Sequence, residues 1–146
     1  MGRFQFRMDN ILSLREKLED KKKQEFGAAT RKLQIENEKK QSLINESIYC
    51  SEDLRNRIKH QIIPEEIISY NQYLQLLKRK TVEQEKRVKK AALYADKKRE
   101  ELLEAVKQRK MLEALKEKRW NEYLEESNRE EQKIIDEIVS FKSQSR

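Results

Sequence analysis

The sequence predicts an all-α protein, a long antiparallel coiled-coil hairpin of two helices, on three observations. Of the 146 residues, 42% are Asp, Glu, Lys or Arg, and the mean hydropathy is −1.09. These values leave too few apolar groups for a compact core of that size. Only two Gly and one Pro are present, so the turns that sandwiches, barrels and doubly wound folds need are not available. Apolar residues recur at steps of three and four, which is typical of coiled coils.

A disordered chain is the competing class for such a composition. Disorder usually accompanies high net charge with Pro, Gly and Ser enrichment, whereas here the net charge is +7 and helix-forming residues dominate. An acidic residue also often stands four positions before a basic one, and each such pair stabilises a helix by about 0.2–0.5 kcal/mol. The pairs are Glu19–Lys23, Glu36–Lys40, Asp53–Arg57, Glu83–Arg87, Glu85–Lys89 and Glu125–Arg129.

The first helix is predicted to span about residues 3–60. Gly27 lies inside it and costs about 1 kcal/mol relative to Ala, which long flanking helix can absorb. The apolar residues step regularly at first and then drift in phase; they are Phe4, Met8, Ile11, Leu14 and Leu18, followed by Phe26, Ala29, Leu33, Leu43 and Ile48.

Pro64 marks the one clear break in the chain. Proline suits the first turn of a helix and disfavours helix at the residue before it, and Glu65 and Glu66 favour a helix N-terminus. The sequence therefore predicts a turn at about 61–64 and a second helix at about 65–142, in a single domain covering 1–146. A short turn between two helices makes them pack antiparallel, so we expect a monomeric hairpin whose longer second helix extends past the first.

The second helix has the clearer periodicity. Ten of fourteen positions at steps of three and four are apolar, counting Tyr and Ala: Ile67, Tyr70, Leu74, Leu77, Thr81, Gln84, Val88, Ala91, Ala95, Lys98, Leu102, Ala105, Arg109 and Leu112. The phase then shifts, as at a stutter, and the pattern resumes with Trp120, Leu124, Ser127, Glu131, Ile134, Ile138 and Phe141.

Catalytic chemistry is not indicated. His60 is the only histidine and Cys50 the only cysteine. The chain therefore lacks the ligands of the usual zinc sites and the bases needed for Cys–His or Ser–His catalytic pairs. There is no glycine-rich phosphate loop. We therefore expect a protein that is not an enzyme and that needs no metal or cofactor. No apolar run could span a bilayer, and Met1–Arg7 lacks the apolar stretch of a secretory signal, so a cytoplasmic location is expected.

Positive charge is concentrated in residues 78–99, which hold ten basic and three acidic groups. The segment is either a solvated helix face, a site for an acidic protein partner, or a site for phosphates. Tyr94 is the only aromatic residue there that could stack on a base, so sequence-specific recognition of nucleic acid is poorly supported and the main hypothesis includes no nucleic-acid partner. The basic patch comprises Lys78, Arg79, Lys80, Lys86, Arg87, Lys89 and Lys90.

Apolar residues also cluster just after the turn, over more of the helix circumference than one seam covers. They are Tyr70, Tyr73, Leu74, Leu76 and Leu77. This cluster either caps the seam against Ile62, Ile63 and Tyr49, or forms an exposed docking patch.

Several stretches together resemble the FliJ family of flagellar type III export proteins. The N-terminal stretch is Phe4-x-Phe6-Arg7-Met8-x-x-Ile11-Leu12-x-Leu14-Arg15-x-x-Leu18-Glu19-Asp20. The stretch after the turn is Tyr70-Asn71-Gln72-Tyr73-Leu74-Gln75-Leu76-Leu77. The C-terminal half matches in Leu102-Leu103-Glu104-Ala105, Arg109-Lys110-x-Leu112-Glu113-x-Leu115-Lys116-Glu117-Lys118 and Glu131-Gln132-Lys133-x-x-Asp136-Glu137. The resemblance covers nearly the whole chain.

The resemblance implies a non-enzymatic coiled coil similar to the central stalk of rotary ATPases. Such a protein would insert its open end into the ring of the export ATPase FliI, promote ring assembly and hydrolysis, and contact the export gate FlhA. It could also handle export chaperones, and it would reach the cytoplasmic face of the membrane at the flagellar base only through its partners. The implied ATPase-contact residues are Phe4, Phe6, Arg7 and Leu14, together with the C-terminal turns.

The implied gate contact comprises Leu43, Tyr73 and Leu77. Lys80 departs from the family pattern, because a small apolar residue is usual at that position of the gate patch. Two other classes of function stay open on the heptads and charge alone. One is a structural or scaffolding coiled coil without ATPase coupling, which dimerisation would favour. The other is a basic rod that binds nucleic acid without sequence preference.

Overall fold

The chain folds into two long helices joined by three residues. In the computed structural model, which describes residues 2–145, α1 spans Asp9–His60 and α2 spans Pro64–Gln144. No strand occurs within that range. This arrangement confirms the predicted all-α fold, an antiparallel two-helix coiled-coil hairpin.

The connection between the helices follows from Pro64, which is the first residue of α2. The backbone carbonyl of Ile63 accepts from the amides of Glu66 and Ile67 at 3.1 and 3.2 Å. It therefore satisfies amides that have no partner within the first turn of a helix. The last turn of α1 is basic and the first turn of α2 is acidic, which suits both helix dipoles.

The contacts within the chain divide it into two units. One unit comprises Met1–Lys21 with Leu103–Arg146, and the other comprises Lys22–Leu102. We call these the terminal unit and the hairpin unit, respectively. The single domain expected from the sequence stays a prediction.

The hairpin unit is held by the predicted seam of α2. All eleven seam positions from Ile67 to Leu102 are buried or half-buried, and Leu77 is only 1% exposed. On α1 the same unit buries Ala29 and Cys50. The seam also carries charge, because Lys98 contacts Glu25 at 3.5 Å and Glu101 at 3.2 Å.

The terminal unit begins with a segment that is not helical. The first helix was predicted to start near residue 3, but α1 starts at Asp9; residues 2–6 form no regular secondary structure, and a turn follows at Arg7 and Met8. Phe6 is buried in this segment. The physical reason is that Phe4 packs on aromatic rings of α2 and that the Gly2 carbonyl accepts from Tyr123, so this segment is held by contacts with α2 and forms no helix of its own. We call residues 2–8 the N-terminal arm.

Aromatic packing fixes the arm against α2. The ring of Phe4 lies 5.0 Å from that of Trp120, edge to face, and 5.5 Å from that of Tyr123. The hydroxyl of Tyr123 donates to the backbone carbonyl of Gly2 at 2.8 Å. These contacts hold the N-terminal arm against α2, and Gly2 and Tyr123 are 121 positions apart in sequence.

The seam of α1 in the terminal unit is shifted by one residue from the predicted phase. Leu12 and Glu19 are buried at 7% and 5% exposure, whereas the predicted Ile11, Leu14 and Leu18 are exposed. The partner helix explains the shift, because the seam residue Arg109 of α2 donates to the Glu19 carboxylate. A buried carboxylate needs such a partner.

The C-terminal part of α2 extends beyond any helix that could cover it. Every residue from 128 to 145 is exposed. The apolar residues there are Ile134, Ile135, Ile138, Val139 and Phe141, each more than half exposed. The resumed heptad pattern thus forms an apolar stripe that contacts no other helix within the part of the chain that is described.

Candidate functional site

The candidate functional sites of this molecule are areas of its surface. Among residues 2–145 no group of three or more His, Cys, Asp or Glu side chains could hold a metal ion. No helix in that range is long and apolar enough to cross a membrane. The Cys50 thiol is buried, and its pKa is raised by burial first and then by the charges of Asp53 and Glu46. A raised pKa leaves less of the reactive thiolate.

The predicted ATPase-contact residues lie together in the terminal unit but differ in accessibility. Phe6 is buried, Phe4 is half-buried, and Arg7 and Leu14 are exposed. The two aromatic rings therefore position the N-terminal arm, while the exposed pair is open to a partner. A shallow pocket of about 510 Å³ lies along the arm.

Leu14 belongs to an exposed apolar stripe on α1 that the sequence suggested as part of the seam. The stripe consists of Ile11, Leu14 and Leu18 on α1 and of Met8 in the turn just before it; the four side chains are between 36% and 63% exposed. Their spacing of three and four places them on one face of the helix. We call this the α1 stripe. The α1 stripe is exposed because Leu12 and Glu19 occupy the seam where Ile11 and Leu18 were predicted.

The predicted gate-contact residues lie in the hairpin unit. Tyr73 is 40% exposed and Leu43 is half-buried, but Leu77 is fully buried. Leu77 therefore supports the packing beneath the patch, and its side chain cannot itself touch a partner. Tyr73 remains the most accessible of the three residues.

Two tyrosines beside this patch are each bound to a carboxylate of α1. Tyr70 donates to Asp53 at 2.5 Å, and Tyr73 donates to Glu46. The pKa of each phenol is raised, first by that hydrogen bond and then by burial. Both hydroxyls are thereby held neutral and oriented towards α1.

An open pocket of about 400 Å³ lies between these tyrosines and α1. On its α1 wall the sequence analysis had named Tyr49 as a packing partner, but it missed Glu46, Cys50 and Asp53. The available signal was their spacing of three and four, which puts them on one helix face. Only the register between the helices, however, brings that face opposite Tyr70 and Tyr73. We call this the tyrosine pocket.

The basic patch is exposed at all seven predicted positions. The structure brings only Arg87 and Lys90 of the seven into one concave surface, where they join Lys32 and Lys97 around a groove of about 900 Å³. The groove is also lined by Glu25, Ala28, Ala29, Glu36, Ala91, Leu93 and Tyr94. We call it the basic groove. Lys78, Arg79, Lys80, Lys86 and Lys89 do not line it.

The fold and these surfaces define a coiled-coil hairpin protein with exposed apolar and charged faces. The family model described as "Flagellar FliJ protein" matches residues 4–146. The chain belongs to the FliJ family, as the motifs of the sequence indicated, and is a component of a flagellar, type III export apparatus.

A solved structure from Chlamydia trachomatis, described as a YscO homolog (CT670), shares the fold. Its TM-score with this chain is 0.56 at 20% sequence identity, and the match covers 97% of this chain and 96% of that one. At this level of identity the likeness concerns the fold alone. No curated protein sequence matches the chain.

Proposed function

We propose that this protein is a stalk-like, non-catalytic regulator of the flagellar export ATPase. Its terminal unit would bind the FliI-like ATPase ring and stimulate hydrolysis, and its hairpin unit would contact the FlhA-like export gate. The ATPase contact would use Arg7 and Leu14 directly. Phe4 and Phe6 would act by holding the N-terminal arm in place.

The observation that carries the ATPase contact is the α1 stripe. Four apolar side chains in helical register are exposed next to a packed aromatic cluster. A contiguous apolar area that is exposed on an otherwise charged protein surface is typical of a binding site for another protein. Arg7 supplies a cation at the edge of the same surface.

The gate contact is supported by the tyrosine pocket. Tyr49 and Tyr73 are exposed at its rim, and aromatic residues with a polar tip are enriched where proteins bind one another. Leu43 and Leu77 would shape this surface from within. The basic residue Lys80 is exposed nearby on α2, so the partner surface would need to accept a cation.

The same proposal covers location and accessory roles. The protein would be cytoplasmic and would reach the membrane at the flagellar base only through the gate and the ATPase. Export chaperones are further candidate partners. The folding unit would be one chain, because each unit pairs α1 with α2 of the same molecule.

The test is the rate of ATP hydrolysis by the cognate export ATPase as the protein is titrated in. We expect a saturable rise that an unrelated basic coiled coil does not reproduce. No rise, at concentrations where the ATPase forms rings, would contradict the proposal and favour a scaffolding coiled coil without ATPase coupling.

A further inference from the structure

The C-terminal part of α2 combines an exposed apolar stripe with strong negative charge. Residues 122–141 hold seven acidic and two basic side chains, a net charge of −5 in a chain whose total is +7. Ile134, Ile138 and Phe141 lie on one face at steps of four and three, and all are more than half exposed. We call residues 122–141 the acidic end. It is an amphipathic helix without a helix to cover it.

The basic groove has the opposite character. Its floor is apolar, with Ala29 and Ala91 buried and Leu93 72% exposed at the side. Its four cations have no carboxylate within 4.0 Å among the described residues; they are Lys32, Arg87, Lys90 and Lys97.

The acidic residues of the groove are already engaged. Glu25 contacts Lys22 at 3.4 Å and Lys98 at 3.5 Å, and Glu36 accepts from Gln84. The groove therefore presents unneutralised positive charge around an apolar floor.

We propose that the basic groove binds the acidic end of a second molecule of this protein. The lining residues of α1 extend from Glu25 to Glu36 and those of α2 from Arg87 to Lys97, which is about three helical turns on each side. The apolar stripe of the acidic end covers about two turns, so it fits within the groove as a third helix. Apolar burial then supplies affinity and the opposite charges supply specificity.

The contact joins two different surfaces, so it is heterologous. A molecule whose groove is filled still offers its own acidic end, and the association continues head to tail unless the chain of contacts closes. Each molecule keeps its own hairpin. The association is sensitive to salt, because the charged rims remain close to solvent.

This contact is independent of the ATPase and gate contacts proposed above, and it is measured on the protein alone. Failure of one proposal leaves the other standing.

The experiment is sedimentation velocity of the full chain over a wide concentration range at about 50 mM and 500 mM NaCl. We expect concentration-dependent oligomers at low salt and monomers at high salt. A groove variant carries Lys32→Glu, Arg87→Glu and Lys90→Glu. An end variant carries Glu130→Lys, Glu131→Lys and Glu137→Lys. Each alone is expected to associate at least about tenfold more weakly than the unchanged protein.

The decisive sample is the equimolar mixture of the two variants. The lysines of the end variant then meet the glutamates of the groove variant, so association is restored. A matched control, with Lys78→Glu, Arg79→Glu and Lys86→Glu, changes the same charge on exposed residues outside the groove and is expected to keep most of the association. Circular dichroism verifies that all variants are helical.

Monomers at every concentration in low salt would overturn the proposal and leave the groove to an acidic helix of another protein. Association that both variants retain would also overturn it. So would a mixture that stays monomeric although each variant is folded.

Discussion

Gln84 of α2 donates its side-chain amide to Glu36 of α1, reaching both the backbone carbonyl, at 2.9 Å, and the carboxylate. Gln84 is 6% exposed and occupies a seam position that usually holds an apolar residue. The pair therefore forms a polar layer inside the coiled coil. A polar layer of this kind fixes the register of two helices, because any slip leaves a buried amide without a partner.

The first prediction is that Gln84→Ala lowers the free energy of unfolding by about 1–3 kcal/mol, since it removes two hydrogen bonds between the helices and opens a small cavity. Denaturant unfolding followed by circular dichroism measures the change. Gln41→Ala is the control, because Gln41 is exposed and bonds only Asn45 in its own helix. It is expected to alter stability by less than about 0.5 kcal/mol. Equal changes in the free energy of unfolding of the two variants would show that the hydrogen bonds of Gln84 with Glu36 add no stability of their own.

A second prediction concerns Gly27 in the middle of α1. Its φ is ordinary for a helix, and an added methyl group would meet only the Arg31 guanidinium, at 3.7 Å. Gly27→Ala should therefore raise the free energy of unfolding by about 0.5–1 kcal/mol, because the unfolded chain loses more freedom than the folded one.

The reciprocal variant Ala28→Gly is the control, since Ala28 is the exposed neighbour in the same helix. It should lower stability by a similar amount. Denaturant midpoints that move in the same direction in the two variants would contradict this account.

A third prediction is a loss of stability in acid. The pKa of Glu101 lies below its ordinary value of 4.5 because Lys98 and then Lys22 donate to it. For Glu25, burial acts to raise the pKa, but Lys22 and Lys98 together bring it below that value. A carboxyl group with a lowered folded pKa stabilises the fold above its unfolded pKa and ceases to do so as pH falls through the folded value.

The unfolding temperature should therefore fall as the pH is lowered from about 5 through the range below 4.5. Glu101→Gln should flatten this dependence. Glu83→Gln serves as the control, because Glu83 is exposed and makes no ion pair within 4.0 Å among the described residues. Identical acid profiles for the two variants would rule out the Lys98–Glu101 contact as a cause.

The sequence predicted the seam of α2 better than that of α1, and the reason is physical. All fourteen α2 seam positions from Ile67 to Leu112 are buried or half-buried, including the polar Gln84 and Arg109, whereas the positions predicted after the phase shift are exposed except for Ser127. On α1, Leu12 and Glu19 face the partner instead of Ile11 and Leu18. A buried glutamate is stable only beside its arginine, and no pattern within α1 reveals where that arginine lies.

Surfaces were harder to predict than helices. The motif resemblance pointed to Leu14, whose exposure came from the seam shift, and to Leu77, which is buried. The contact of Phe4 with Trp120 and the walls of the tyrosine pocket depend on which turns of α1 and α2 lie opposite each other. Periodicity gives the face of a helix, but the register comes only from both helices together.

A fourth prediction tests the α1 stripe. Leu14→Ser should reduce the maximal stimulation of the export ATPase severalfold while leaving the unfolding temperature nearly unchanged, because Leu14 is 63% exposed. Steady-state hydrolysis rates measure the effect. Ile68→Ser, an exposed apolar residue of the hairpin unit, is the control and should leave stimulation intact.

Phe6→Ala provides a contrast within the same surface. Phe6 is buried, so its removal should lower both stability and stimulation by releasing the N-terminal arm. Full stimulation by the Leu14 variant would remove the α1 stripe from the ATPase contact.

The last prediction separates gate binding from folding. Tyr73→Ala should weaken binding to the isolated cytoplasmic part of the export gate about tenfold or more, with a small change in unfolding temperature, since the ring lies at the rim of the tyrosine pocket. Calorimetry measures the affinity. Tyr94→Ala, at a half-exposed tyrosine of the same unit, should bind normally.

Leu77→Ala is expected to behave differently, because it creates a cavity in the seam and lowers the free energy of unfolding by about 2–5 kcal/mol. Any loss of gate binding in that variant should follow its loss of helical structure as temperature rises. The Tyr73 variant should show the loss at temperatures where the hairpin is fully folded. Parallel behaviour of the two variants would mean that gate binding depends on the intact hairpin as a whole and that Tyr73 makes no specific contact.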